Sequence, residues 1–79
     1  MPRLKLTFRQ FIAILEANGF VLVRHEATSH RRYRGERDGR VFLVTVAYHN
    51  DKDDIRPDTL ASMIRQSGLP KNLFRRWPS

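Results

Sequence analysis

At 79 residues the chain is long enough for one small domain with a modest core. It has no cysteine, which excludes a disulfide framework and a cysteine-ligated zinc site, and no apolar run fit for a signal peptide or a membrane span, so it reads as soluble and cytoplasmic. Fifteen Lys and Arg against eight Asp and Glu leave a formal charge of +7, mostly as arginine, whose planar fork suits phosphate.

Thr7 followed by Gln10 is a capping-box pair, and Phe8, Phe11, Ile12 and Leu15 then recur on one helical face. Gly19 supplies a stop, so the spacing predicts a first helix over about Thr7 to Asn18. Phe20 to Arg24 is a strand-length run with apolar residues on both faces, so periodicity does not say which face meets the helix. Glu26-Ala27-Thr28 must reverse the chain into a second strand, about His30 to Arg34. The segment from Gly35 to Arg40 contains the Asp38-Gly39 hairpin signal. A third strand, Val41 to Val46, turns Phe42, Val44 and Val46 to one face and Val41, Leu43 and Thr45 to the other. Tyr48 to Asp54 reads as a solvated loop. Pro57 opens a second helix with Leu60, Met63 and Ile64 as its stripe, and Gly68 ends it. After Leu69-Pro70 comes a short tail in which Leu73 and Phe74 can pack back, followed by basic residues 75–79.

The order is α-β-β-β-α, an α+β domain. Short connections favour an antiparallel three-stranded meander, and one apolar stripe per helix places both helices on one sheet face. Burying each large stripe residue contributes roughly 1.5–3 kcal/mol, offset by chain entropy, so stability should be modest.

On the second strand, alternation puts His30, Arg32 and Arg34 on one face and Ser29, Arg31 and Tyr33 on the other. The basic run Arg31, Arg32, Arg34, Arg37 and Arg40, with Arg75 and Arg76, points to nucleic acid or to an acidic protein partner. An imidazole exchanges protons near neutrality, so His30 can take the proton of an RNA 2′-hydroxyl or give one to the departing 5′-oxygen. Arg32 or Arg34 can hold the phosphate and offset its transition-state charge, and His49 is a candidate second proton-transfer group. Other patterns are weaker. His25-Glu26 with His30 is one residue too long for a zincin helix and falls across a turn. Ser29 and His30 point to opposite faces and make no nucleophile–base pair. His49 with Asp51, Asp53 and Asp54 reads as a hydrated acidic loop, so no metal and no other cofactor is expected.

The run Gly19 to Arg24, then Ser29-His30 with Tyr33, then Asp38-Gly39-Arg40, resembles the HicA (YcfA-like) toxin family of bacterial toxin–antitoxin systems. The likeness continues through Thr45 to His49, similar to the family's strand ending in V-P-x-H, and through Thr59-Leu60, Ile64-Arg65-Gln66 and Gly68-Leu69. It covers about Phe11 to Phe74, and its specificity lies in the order and spacing of the motifs together. The resemblance implies a double-stranded-RNA-binding-domain-like fold and an mRNA interferase whose G-S-H or G-T-H motif makes His30 catalytic. It further implies a HicB-type antitoxin that covers the active site, with DNA reached only through that antitoxin; on this ribonuclease reading Arg24, Thr28, Ser29, Arg32, Arg34 and His49 are the candidate RNA contacts. Thr28 stands where the family has glycine, Ala47 where it often has proline, and Asp58 where glycine usually precedes the helix threonine; the acidic loop before Pro57 is also longer. Two other readings use the same residues: a non-catalytic RNA-binding module, and an interaction domain that docks only an acidic partner.

Overall fold

The computed structural model describes residues 4–26, 30–48, 50 and 52–75, with 24–26 described as backbone. The Thr7 cap forms as its spacing requires: Thr7 Oγ1 accepts from the Gln10 N–H at 3.2 Å, and the Thr7 N–H donates to Gln10 Oε1 at 3.0 Å. Helix α1 therefore starts at Phe8 and runs to Ala17. Phe8, Phe11, Ile14 and Leu15 are its buried residues. Ile12 is only partly buried, so the stripe is centred nearer Ile14 than the i, i+4 pattern suggests.

Three antiparallel strands follow in the order β1 (Val21–Glu26), β2 (His30–Arg37) and β3 (Arg40–Ala47). The β2–β3 hairpin closes on two residues alone. Asp38 at φ 53 and Gly39 at φ 77 supply the two left-handed positions of a type I′ turn, whose twist matches the strands. Register then runs outward without interruption from Arg37 opposite Arg40 to His30 opposite Ala47. Strand β2 thus extends three residues beyond the expected Arg34, and Gly35 is a buried strand residue rather than part of the turn. The cause is steric. A Cβ on Gly35 would lie 2.7 Å from the Phe20 ring, so the glycine makes the space that Phe20 fills.

Strand β1 departs further from its reading. Phe20 lies before it and is buried, held by its N–H donating to Leu15 O at 3.0 Å. Val21, Leu22 and Val23 are all about half exposed. The strand whose first three residues are all aliphatic is therefore one that the helices leave largely uncovered. Pairing with β2 also slips between Leu22 and Arg24, which makes Val23 the extra residue of a bulge.

Helix α2 (Pro57–Ser67) begins with its proline in the first turn and buries Leu60, Met63, Ile64 and Ser67. The tail forms a further short helix, α3 (Lys71–Arg75), and Phe74 stacks on Phe11 with ring centroids 5.3 Å apart. The core lies between these helices and one sheet face, built from Tyr33, Val44 and Val46 with the buried helix residues. The loop before α2 is less solvated than its composition suggests. Tyr48 packs edge-on to Phe8, Ile55 is buried, and the Ile55 N–H donates to Leu6 O at 2.8 Å. The α+β class, element order and single helix-covered face agree with the sequence reading.

Candidate nucleic-acid interface

Among the described residues the other sheet face carries no helix, and the alternation of β2 decides what it displays. His30, Arg32, Arg34 and Glu36 are exposed, whereas Tyr33 and Gly35 are buried and Arg31 is partly so. Register gives each exposed residue its neighbours across the sheet, because directly opposed residues share a face. His30 pairs with Ala47 on β3 and Glu26 on β1; Arg32 pairs with Thr45 and Arg24; Arg34 pairs with Leu43 and Val21. His30 is thus the first residue of the central strand, at the end of the sheet away from the hairpin. Arg32 follows two residues on, about 6.6 Å along the strand on the same face.

The basic run does not act as one patch. Arg31 faces the helix side, where its guanidinium lies 3.8 Å over the Tyr48 ring. Arg37 donates from Nη2 to Gly68 O at 2.6 Å, tying the hairpin to the end of α2. Arg34 lies 3.8 Å from Glu36, a surface pair of small energetic worth. Arg32 has no acidic side chain within ion-pair distance among the described residues. Among the described residues, Arg32 is therefore a cation on the His30 face with no ion-pair partner.

Thr28, Ser29 and His49 lie outside the described residues, as does the side chain of Arg24. Among the described residues no three His, Cys, Asp or Glu side chains come together as a metal cage. Thr45 and Ala47, neighbours of the face, were named in the sequence reading but not as site residues. Counting outward from a two-residue Asp38-Gly39 turn would have found them, since that alone pairs Arg32 with Thr45 and His30 with Ala47.

The fold and this surface define a small α+β protein that presents an uncovered, partly basic sheet with a histidine at one end. The model of a known family, the HicA toxin of bacterial toxin–antitoxin, matches residues 8–69. No curated protein matches the chain. The match spans both main helices and all three strands, and the chain belongs to the HicA toxin family. Its role is that of the toxin in such a system, with an antitoxin as its partner. No helix among the described residues is long and apolar enough to cross a membrane.

Proposed function

We propose that this toxin is an endoribonuclease that uses His30 as a general acid or base, and that a HicB-type antitoxin neutralises it by covering the same face. One arrangement carries the reading: His30 and Arg32 lie on the same uncovered sheet face, two residues apart on the central strand. In the reaction the RNA 2′-oxygen attacks the adjacent phosphorus and the bond to the 5′-oxygen breaks. The products are a 2′,3′-cyclic phosphate and a 5′-hydroxyl. The 2′-hydroxyl must lose a proton and the 5′-oxygen must gain one, and His30 supplies one of these transfers. Arg32 offsets the charge that builds on the phosphoryl oxygens, with Arg34 as a second contact weakened by Glu36. Arg24, Thr28, Ser29 and His49 are proposed to line the same RNA site, and His49 is the candidate for the second proton transfer.

Neither proton transfer needs a metal ion. Purified toxin should therefore cleave RNA in EDTA and leave an RNA carrying a 2′-deoxynucleotide at the scissile position intact. Loss of cleavage in chelator with recovery in magnesium, or cleavage at the deoxy position, would contradict this chemistry.

A further inference from the structure

We infer that the antitoxin is seated by the hairpin half of the open sheet face, on an aliphatic patch separable from the phosphate-binding half; this rests on the reading of His30 and Arg32 as the RNA end. Val21 is 57% exposed, Val41 49% and Leu43 48%, high values for large aliphatic residues in so small a chain. Register gathers them: Val21, Arg34 and Leu43 form one row across the three strands, and Glu36 with Val41 forms the next row toward the turn. Val23, the extra residue of the bulge and also about half exposed, lies beyond Val21 on β1, whose outer edge pairs with no strand among the described residues. The opposite sheet edge is partly engaged, because Gln66 Oε1 accepts the Thr45 N–H at 3.2 Å.

Nuclease chemistry has no use for this half of the face. Aliphatic side chains attract no phosphate, and Glu36 places a carboxylate among them that repels one. A gathered patch of exposed aliphatics marks a protein contact. A second copy of this chain is a poor occupant, since it would bring two +7 molecules together with Arg34 near the centre of each contact. An antitoxin segment with aliphatic side chains flanked by carboxylates fits both parts of the surface, because its acids meet Arg34 and Arg32 while its apolar groups cover Leu43, Val41 and Val21. Arg34 lies about 13 Å along the strand from His30. An interface of ordinary size, about 800 Å² on each partner, centred on Arg34 therefore also spans the catalytic end. Inhibition follows from reach; Arg32 and Arg34 meet both ligands, whereas the aliphatic residues Val21, Val41 and Leu43 seat the antitoxin and take no part in cleavage.

The first arm measures affinity between two purified proteins, the toxin and its cognate antitoxin, with no RNA present, so its outcome stands whether or not the chain cleaves RNA; a second arm titrates the same variants with RNA. Leu43→Gln and Val41→Gln change exposed positions and leave the net charge unaltered. Circular dichroism confirms their folding. Each is expected to weaken antitoxin binding at least about tenfold. Toxicity should be retained, and a co-expressed antitoxin should no longer relieve it. Unchanged antitoxin affinity would overturn the proposal. So would equal losses of RNA and antitoxin affinity, which would make the patch an RNA contact. A change of the isolated toxin from dimer to monomer without loss of antitoxin binding would assign the patch to self-association and overturn it too.

Discussion

The Arg31 guanidinium lies 3.8 Å over the ring of Tyr48, on the side of the sheet away from His30. Arg31 and Arg32 are adjacent in sequence, yet one serves packing and the other faces solvent. The Arg31 Nε atom is buried with no hydrogen-bond partner among the described residues, so the stacking on Tyr48 is what holds this cation in place. Replacing Arg31 by alanine should lower stability by about 0.5–2 kcal/mol through the lost cation–π contact. It should leave the salt dependence of RNA binding nearly unchanged.

Arg32→Ala should do the reverse. Stability should hold within about 0.5 kcal/mol, since the side chain is exposed. The slope of log affinity against log salt should fall by about one, as one phosphate contact is lost. Urea unfolding and RNA titrations at several salt concentrations separate the two arginines. Equal slopes for both variants would mean that the exposed face is not the RNA surface.

Gly35 and Phe20 are complementary, and changing one alone should be costly. Gly35→Ala brings a Cβ within 2.7 Å of the Phe20 ring and should destabilise by roughly 1–3 kcal/mol. For a domain of this size that is a fall in melting temperature of about 4–8 °C per kcal/mol. Phe20→Leu in the same background should recover part of the loss, whereas Phe20→Leu alone should destabilise. A Gly35→Ala protein that melts with the wild type would show that the ring moves aside freely.

The tail belongs to the core. Phe74 is 1% exposed and stacks on Phe11, so Phe74→Ala should cost about 3–5 kcal/mol. That is a large part of what a chain of this length can have. Circular dichroism melts should show the variant largely unfolded at growth temperature, and its toxicity should be lost with its fold. A variant as stable as wild type would make α3 an appendage.

The architecture was legible because local signals agreed with one another. The Thr7–Gln10 cap, the Asp38-Gly39 turn and the Pro57 start each appear where the chain predicts them. The alternation of β3 separated Val44 and Val46 from Leu43, and the structure makes the first pair core and leaves Leu43 exposed. Strand β1 was not legible in the same way. Apolar residues on both faces left open which face meets the helices, and Val21, Leu22 and Val23 all remain about half exposed. Gly35 was misplaced because glycine reads as a turn signal, whereas here it admits a ring from another part of the chain. His30, Arg32 and Arg34 were assigned to one exposed face from period two alone, and the structure agrees. The Arg34–Glu36 pair was missed because the strand was expected to end near Arg34, whereas β2 runs on to Arg37 and puts Glu36 on the same face.

On the proposed mechanism His30 moves a proton in RNA cleavage. Single-turnover cleavage of one RNA by saturating toxin, wild type against His30→Ala, tests it most directly. General acid–base catalysis is worth about 10²–10⁴-fold, so the variant should be slower by at least about a hundredfold. RNA affinity should be kept, and urea unfolding should lie within about 1 kcal/mol of wild type, because His30 is exposed at the strand end. A folded His30→Ala protein that cleaves at the wild-type rate would contradict the account.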